Sequence, residues 1–247
     1  MQRLTPDEQV ETPASIIAMP GDSDTSTEAP DLVDAARMGT QPQPQTARGR
    51  RTREALIAAA RTVFERDGYV DSRLIDIAAE AKCSIGSFYT WFDSKEEIFA
   101  AVLHEAQNDM LHPGTGRIEE TDDPVAIILA SNRAYFEAYK RNAKLNQLLQ
   151  QVAAVDPRFR AMRKARTDAF VSRNARAIAD LQRRGLADLK VDSRLAAISL
   201  SAMVGRLASE AFVFGTDHDI GVLVETATRL WTNALGLTTP ELGRQSE

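Results

Sequence analysis

Apolar side chains recur with helical spacing from Arg51 almost to the C-terminus, so the chain is predicted to form successive helices. The first helix is expected from about Thr52 to Arg66, with Gly68 as its C-cap. Its apolar stripe consists of Leu56, Ile57, Ala60, Val63 and Phe64. A stripe of this width needs a partner surface to cover it.

Two short helices and a longer one are predicted next. Ser72 is the expected N-cap of helix two, and Asp93 and Ser94 precede helix four. Helix three has one apolar face, formed by Ile85, Phe88 and Phe92. Helices this short can bury their apolar faces only against one another. The segment therefore predicts a small helical domain with its own core.

The pattern breaks at residues 112–116, HPGTG, which marks a domain boundary. Helical spacing then resumes, with Pro, Asp and Gly residues between the segments. The helices predicted here span residues 124–140, 143–153, 157–184, 192–214 and 219–236. No segment alternates with period two for long enough to form a strand, so the predicted fold class is all-α.

The first 46 residues differ from the rest of the chain. They are rich in Pro, Ser, Thr, Asp and Gln and have no sustained apolar period, which predicts disorder. They could act as an interaction tail or be a solvated extension, and Met38 is an alternative start site. The predicted domain limits are a disordered acidic and polar tail at 1–46, a first domain at 47–110 and a second at 118–239.

The net charge of −5 weighs against a nucleic-acid partner, but the charge is unevenly distributed. Residues 1–45 hold eight acidic residues and two arginines, a net of −6, so the remainder is near +1. Residues 46–110 carry nine Lys and Arg against eleven Asp and Glu. Any positive surface must therefore be local, which disfavours a general nucleic-acid coat protein.

Cys83 is the sole cysteine, which excludes an intramolecular disulfide and a cysteine-based zinc site. His104, His112 and His218 have no metal-binding spacing, so neither a metal nor a cofactor is expected. No apolar run approaches about 18 residues, and the N-terminus lacks a signal pattern. We therefore expect a cytoplasmic protein that does not bind membranes.

The most specific chemistry lies in Ser72–Lys95, SRLIDIAAEAKCSIGSFYTWFDSK. Its predicted helix three presents small, hydroxyl-bearing and aromatic side chains: Ser84, Gly86, Ser87, Tyr89, Thr90 and Trp91. Upstream, RGRRTR at 48–53 holds four arginines in six residues. A compact helix pair beside a cationic arm is typical of proteins that bind duplex DNA. Alone, Tyr89 or Trp91 would more often be a packing residue, and an arginine run a solvated face.

Residues Arg50–Ala101 resemble the DNA-binding domain of TetR-family transcriptional regulators. The resemblance rests on Phe64-x-x-x-Gly68-Tyr69, on Asp76-Ile77-Ala78 and on SIGSFYTWFDSKEE at 84–97. It implies an N-terminal helix-turn-helix domain of three to four helices, followed by a helical ligand-binding and dimerisation domain. The second half of the chain matches the family only in the layout of its helices.

The resemblance implies specific DNA contacts, and side-chain chemistry supports several of them. Short side chains let helix three approach base edges, where a hydroxyl can donate or accept. Cations and helix N-termini, including one at Ser94, would bind phosphates. The candidate DNA-binding residues are Arg48, Arg50, Arg51, Thr52, Ser72, Arg73, Ser84, Gly86, Ser87, Tyr89, Thr90, Trp91 and Lys95.

Four residues depart from the family pattern. Lys82 stands where glycine is usual, after helix two, so the turn is expected to carry about 1 kcal/mol of strain or to have a slightly different shape. Arg73 and Ile75 are atypical at the start of helix two; Arg73 could contact a phosphate, and Ile75 has no evident role. Cys83 replaces a small apolar residue such as valine, so an inert buried thiol is favoured over a redox sensor.

The last two predicted helices point to a dimer. One half-site gives too little affinity for an operator, and paired half-sites are the usual remedy. The predicted dimer interface consists of Ile198, Ala202, Gly205, Ser209, Phe212, Leu223, Ala227, Leu230 and Ala234. A second apolar stripe lies nearly opposite on 192–214, so which side faces the partner is left open. The resemblance implies a four-helix interface.

Helices 124–140 and 157–184 mix large apolar residues with polar ones, which could line a cavity or fill a plain core. The resemblance favours an effector pocket with Tyr135, Phe136, Tyr139, Met162 and Phe170. The predicted function is a repressor that binds a palindromic operator in double-stranded DNA as a homodimer and is released by a small, largely apolar effector. The alternative is an activator or an effector-independent DNA-binding protein. An enzyme is not expected, since no nucleophile–base pair, metal cluster or cofactor loop is found.

Overall fold

The computed structural model describes residues 46–111, 122–216 and 218–237, and every regular element in these ranges is an α-helix. The all-α prediction is confirmed. The predicted tail at 1–46 lies outside the described residues, except for Thr46. The predicted break at 112–116 lies outside them as well.

Four helices form the N-terminal part of the chain: α1 (Ala47–Asp71), α2 (Leu74–Glu80), α3 (Ile85–Tyr89) and α4 (Lys95–Leu111). The first two are separated by a short connection, and α3 follows a tight turn. This is the helix-turn-helix arrangement that the sequence predicted.

The first helix begins at Ala47 rather than near Thr52. The reason is a cap, because the Thr46 hydroxyl accepts a hydrogen bond from the Gly49 amide at 3.1 Å. The arginine run therefore forms the first turns of α1 rather than an extended arm. Near its other end, Gly68 leaves the helical conformation with a φ of 80°, in agreement with its predicted role.

Ser72 does not cap α2. Its side chain is only 3% exposed, and its hydroxyl donates to the Tyr69 carbonyl at 2.9 Å. Arg73 occupies the N-cap position instead, without a side-chain capping bond. Because the Ser72 hydroxyl is buried and bonds the end of α1, Ser72 is not available for the predicted phosphate contact.

The turn after α2 contains a left-handed residue, Lys82, with a φ of 55°. Its amide donates to the Ala79 carbonyl and that of Cys83 to the Ala78 carbonyl, both at 3.0 Å. These bonds close the C-terminus of α2. A residue with a Cβ pays about 1 kcal/mol relative to glycine in this conformation. Lys82 therefore has the left-handed backbone conformation in which the expected strain arises.

Replacing Lys82 with glycine is expected to raise the free energy of unfolding by up to about 1 kcal/mol, because glycine adopts a positive φ without a Cβ clash. Urea denaturation measures the change. Lys164→Gly, at a 76% exposed position inside a helix, should instead lower stability by about 1 kcal/mol. A Lys82→Gly variant that unfolds at lower urea than the parent would contradict the strain argument.

Five helices follow: α5 (Pro124–Arg141), α6 (Ala143–Val155), α7 (Pro157–Arg183), α8 (Ser193–Phe212) and α9 (Ile220–Ala234). Their ends lie within two residues of the predicted limits. Aspartate side chains cap four of the N-termini, at Asp123, Asp156, Asp192 and Asp219. These caps are the signals that made the limits predictable.

The first hydrophobic core joins the two halves of the chain. Ring centroids of Phe64 in α1 and Phe99 in α4 are 4.9 Å apart, and Phe99 lies 5.3 Å from Phe159 in α7. Leu145 of α6 and Met162 of α7 belong to the same core. The N-terminal helices therefore share their core with α6 and α7, which corrects the expectation of a core of their own.

The second core lies among α5, α7, α8 and α9. Its most deeply buried side chains include Phe136, Ile178, Ala197, Ala208, Val224 and Ala227. Because α7 contributes to both cores, it connects the end of the molecule that carries α1–α4 to the end that carries α8 and α9.

By length and composition, α8 is apolar enough to cross a membrane, contrary to the expectation from the sequence. One side of it, with Ala197 and Val204, is buried in the second core. The helix also carries an Arg206–Glu210 ion pair. A core helix of a folded domain has these features, so α8 gives no support to a membrane span.

Candidate nucleic-acid interface and internal cavity

Hydrogen bonds and packing hold α3 with one side towards solvent. The Ser84 hydroxyl accepts a bond from the Ser87 amide at 3.1 Å and caps the helix. Phe88 is fully buried, and its ring lies 5.9 Å from that of Phe92 in the first core. The exposed residues of α3 and its flanks are Ser84, Ile85, Gly86, Tyr89 and Thr90. They form the candidate base-contacting surface.

Gly86 adds no side chain to this surface, so the helix backbone can approach a base edge closely. A Cβ added at Gly86 would meet only the Ser84 hydroxyl, at 3.8 Å, so the protein's own packing does not require glycine here. The Thr90 hydroxyl donates to the Gly86 carbonyl at 3.2 Å. The hydroxyls of Ser84 and Thr90 thus each make one bond within the chain and keep lone pairs for a base edge.

Tyr89 and Trp91 have different surroundings. Tyr89 is 51% exposed, and its ring packs edge-on against Phe88 with centroids 5.5 Å apart. Trp91 is partly buried and packs against the first core. Tyr89 is accessible to a phosphate. Trp91 is a packing residue, so it is no longer expected to contact bases.

Two exposed isoleucines flank the candidate surface. Ile85 is 39% exposed and Ile75 is 59% exposed. The sequence pattern placed Ile85 in the core with Phe92, which is wrong because α3 ends at Tyr89 and the helical spacing does not continue to Phe92. Exposed apolar side chains beside a DNA-binding helix can contact thymine methyl groups. The helical spacing along the chain does not indicate that both isoleucines are exposed here.

Lys95 makes contacts within the protein. Its Nζ donates to the carbonyls of Val70 at 3.0 Å and Ser72 at 2.8 Å, and it lies 4.9 Å from the ring centroid of Tyr69. These contacts tie the start of α4 to the end of α1. Lys95 is therefore first a positioning residue, with one ammonium proton left for a phosphate.

Replacing Lys95 with methionine is expected to lower the free energy of unfolding by about 1–2 kcal/mol and to weaken DNA binding, because two carbonyls lose their donor. Thermal unfolding and fluorescence anisotropy on the same preparation check both effects. Lys144→Met is the matched control, because Lys144 is exposed and its Nζ bonds only the Gln147 side chain at 3.3 Å. Unchanged melting with weaker DNA binding would make Lys95 a phosphate contact alone.

Two hydrogen bonds, similar to those of a capping box, close the start of α4. The Ser94 hydroxyl accepts from the Glu97 amide at 3.2 Å, and the Glu97 carboxylate accepts from the Asp93 amide at 2.6 Å. A hydrogen bond to its own backbone lowers the pKa of Glu96 in the same turn, so that carboxyl stays charged. The anion site expected at Ser94 is therefore occupied by the chain's own acidic groups.

The start of α1 is cationic and exposed. Arg48, Arg50 and Arg51 stand in its first turns, and the first turn contains no acidic residue. The Thr52 hydroxyl donates to the Arg48 carbonyl at 3.1 Å. Cations are unfavourable at a helix N-terminus, whereas a phosphate placed there would be attracted by both the arginines and the helix amides.

Arg73 is exposed but paired. Its guanidinium bonds both oxygens of the Asp76 carboxylate, at 2.7 and 2.8 Å, and this bond lowers the pKa of Asp76. A phosphate would have to compete with Asp76. Arg73 is therefore expected to contribute less to DNA binding than the arginines of α1.

A cavity of about 490 Å³ lies among α5, α6, α7 and α8, within the size range of ligand sites. Tyr135, Tyr139 and Phe170 line it, as the sequence predicted. Phe136 and Met162 do not, because they are buried in the second and first cores. Phe136 follows Tyr135 on the same helix and therefore points about 100° away.

The polar residues expected on α5 and α7 include Asn132 and Asn174, which line the cavity, whereas the role of Arg166 was not predicted. An Arg166 Nη donates to Asn146 Oδ1 at 2.9 Å, and Asn174 Nδ2 donates to Ser201 Oγ at 2.9 Å. Burial raises the pKa of Tyr135 to about 12, so its phenol stays neutral. The wall combines aromatic rings with hydrogen-bonding groups held in fixed positions.

Only part of the predicted dimer interface is exposed. Three of its members are buried in the chain's own core, at 8%, 5% and 0% exposure: Ser209, Leu223 and Ala227. Gly205 lines the cavity, and the Phe212 ring lies 6.3 Å from that of Tyr139. Packing of α8 and α9 against the second core fixes the rotation of both helices, so these five residues face the chain's own core or cavity. The exposed apolar residues, here called the α8–α9 patch, are Leu195, Ile198, Ala202, Val222, Leu230 and Ala234. Two of them, Ile198 and Ala202, also line the cavity where it reaches the surface.

Within the described residues, no group of His, Cys, Asp and Glu could hold a metal ion. Cys83 is partly buried, and burial raises the pKa of its thiol. A raised pKa reduces the thiolate fraction and with it the reactivity, which favours the expected inert thiol.

Known proteins resemble this chain both in sequence and in fold. Residues 56–102 match the family model of bacterial regulatory proteins of the tetR family. The HTH-type transcriptional repressor DhaR of Mycobacterium sp. (strain GP1) is 35% identical over 72 residues. That match covers 29% of this chain and 36% of DhaR, so the chain spans about a third of this curated relative.

Solved structures match over most of the chain. The fatty acid degradation regulator FadR from Bacillus halodurans has a TM-score of 0.65 with 16% identity, over 79% of this chain and 100% of its own. SmeT, the repressor of the Stenotrophomonas maltophilia multidrug efflux pump SmeDEF, has a TM-score of 0.61 with 21% identity, over 78% and 94%. At these identities the likeness shows a common fold.

Proposed function

We propose that this chain is a transcriptional regulator of the TetR family, a repressor that binds a palindromic operator in double-stranded DNA as a homodimer. The observation that carries the proposal is the exposed side of α3 next to the cationic start of α1. Arg53 of α1 lies 5.2 Å from the ring of Phe92, just after α3. This contact joins α1 to the segment that follows α3, which supports a combined role for the two surfaces in DNA binding.

In the proposed complex, α3 enters the major groove. Ser84, Gly86 and Thr90 face base edges, and Ser87 lies beside them on the same short helix. Ile85 and Ile75 contact thymine methyl groups where the operator has them. Phosphates are bound by Tyr89 and the third proton of Lys95, and by Arg48, Arg50, Arg51 and Thr52 at the start of α1.

We propose that two chains pair through the α8–α9 patch. Leu195 is 65% exposed, Val222 57% and Leu230 44%. These apolar side chains lie on neighbouring helices, so their burial against a second chain is favourable. A dimer also supplies the second half-site that a single short α3 needs for operator affinity. The patch replaces the inward-facing members of the interface predicted from the sequence.

The cavity is proposed as the effector site, and its walls reach the DNA-binding helices. Leu149 of α6 lines the cavity and also belongs to the first core. Arg166 donates one bond to the sulfur of Met110, at the end of α4. An effector that repositions α6 or α7 would therefore move α4 and change the spacing of the two α3 helices, which releases the operator if the effector prefers the altered spacing.

The alternatives are less well supported. A repressor is favoured over an activator because DhaR and SmeT are named as repressors. The cavity weighs against an effector-independent DNA-binding protein. We assign no enzymatic role, and a protein that binds a bacterial operator acts in the cytoplasm.

Selection of bound duplexes from a random double-stranded library tests the proposal. The recovered sequences are expected to contain an inverted repeat whose half-sites lie about one helical turn apart, or a multiple of it. Recovery without sequence enrichment, with affinity that depends only on salt, would mean that the chain binds DNA non-specifically. A single non-repeated motif would overturn the dimeric arrangement.

A further inference from the structure

We propose that the effector is an apolar organic acid whose anionic group binds the guanidinium of Arg166. This inference rests on the proposed effector role of the cavity and adds the chemical class of the ligand. It refines the sequence-based expectation of a largely apolar effector by giving that molecule one negative charge.

Arg166 forms part of the cavity wall, and its side chain is accessible from inside the cavity. It stands on α7, and its guanidinium donates to Asn146 Oδ1 at 2.9 Å and to the sulfur of Met110. Both acceptors are uncharged. Its side chain keeps partial exposure and lines the cavity, so a ligand in the cavity can reach its remaining donors.

In the part of the chain that the structure describes, no carboxylate of the cavity wall balances this charge. Among the described residues that line the cavity, Asp168 is the single acidic one, and its 51% exposed carboxylate pairs with Lys164 outside. The other charged lining residues are Arg163 and Arg194. Enclosure lowers the pKa of Arg166, as expected for a cation removed from water without a counter-ion.

The rest of the wall suits an apolar body. Ile128, Leu149, Phe170, Val171, Ile198 and Trp231 supply most of the non-polar lining. A ligand that places a carboxylate or sulfonate on Arg166 and an aliphatic or aromatic body against these side chains satisfies both parts of the wall. Guanidinium binds such planar or forked anions through paired hydrogen bonds.

Two fluorescent probes with the same ring system separate charge from apolar contact. 8-Anilino-1-naphthalenesulfonate carries one sulfonate, and N-phenyl-1-naphthylamine is its neutral counterpart. Titration of each into the dimer should show that the sulfonate binds at least about 10-fold more tightly. Arg166→Gln should reduce sulfonate affinity by at least about 10-fold and leave the neutral probe unchanged.

Arg176→Gln is the matched control, because Arg176 is exposed on the same helix and the substitution removes the same charge. It should leave both affinities unchanged. The inference is overturned if the sulfonate does not bind, if both probes bind wild-type protein equally, or if Arg166→Gln retains the sulfonate preference.

Operator binding of the wild type without any probe separates this inference from the proposed function, because this measurement involves no ligand on Arg166. The wild type is expected to bind the selected operator whatever the probe titrations show. Normal operator binding with no probe preference would reject the anionic effector alone. Absence of operator binding by the wild type would reject the repressor, whatever the probes show.

Discussion

Replacing Leu230 with glutamate is expected to dissociate the homodimer and to weaken operator binding by at least about 100-fold, or about 3 kcal/mol. Leu230 lies in the α8–α9 patch and is 44% exposed in the single chain, so the substitution adds no buried charge to the folded monomer. In a dimer the two glutamates would be taken out of water without a partner, which is strongly unfavourable.

Analytical ultracentrifugation and anisotropy on one preparation measure both effects of Leu230→Glu. Leu189→Glu is the control, because Leu189 is 76% exposed between α7 and α8 and lies outside the patch. It should remain dimeric and bind normally. If Leu230→Glu stays dimeric while Leu189→Glu dissociates, the pairing surface has been assigned to the wrong side of the molecule.

Replacing Gly86 with glutamate is expected to abolish specific operator binding, with a loss of at least about 100-fold, while melting stays within about 1 kcal/mol of wild type. The position tolerates a side chain, because an added Cβ meets only the Ser84 hydroxyl at 3.8 Å. In the complex, however, the carboxylate would project into the groove among phosphates and base edges, where negative charge is repelled.

The control for Gly86→Glu is Gln151→Glu, which makes the same change in net charge at an exposed position of α6. It should lower affinity only slightly, through the overall charge. Retention of specific binding by Gly86→Glu would mean that α3 does not enter the groove by this side, and the roles of Ser84 and Thr90 would fail with it.

The helices of the second half could be predicted closely because their ends carry strong local signals. Asp192 and Asp219 accept hydrogen bonds from amides two or three residues onward, and Pro157 occupies the first turn of α7. These signals depend on a few neighbouring residues, which a sequence displays directly.

Helix ends were mispredicted where two residues could each provide the cap. Thr46 extends α1 backwards by capping it, although the predicted start was Thr52. Ser72 was assigned to α2, yet its hydroxyl bonds the Tyr69 carbonyl of the preceding helix. A serine between two helices can serve either of them, and tertiary packing decides which.

The rotation of each helix about its axis was harder to predict than its limits. Tyr135 and Phe136 are both large and apolar, but one lines the cavity and the other fills the core. On α9, Leu223 and Ala227 are buried within the chain, while Leu230 is exposed. An apolar stripe shows that a helix face is covered, but it does not show whether the cover comes from the same chain or a partner.

Arg166 could not have been singled out by sequence, because α7 contains many arginines and most are exposed. What distinguishes it is its neighbours, Asn146 and Met110, which lie 20 and 56 positions away in the chain. Polar cavity walls assembled from distant segments give no local pattern.

We propose that two copies of this chain together recognise one symmetric DNA sequence. Anisotropy at about 150 mM salt tests this proposal by comparing the selected inverted repeat with a duplex in which one half-site is scrambled. We expect two chains per duplex on the intact repeat and at least about 100-fold weaker binding to the half-scrambled one. Equal affinity for the two duplexes, or one chain per intact repeat, would contradict it.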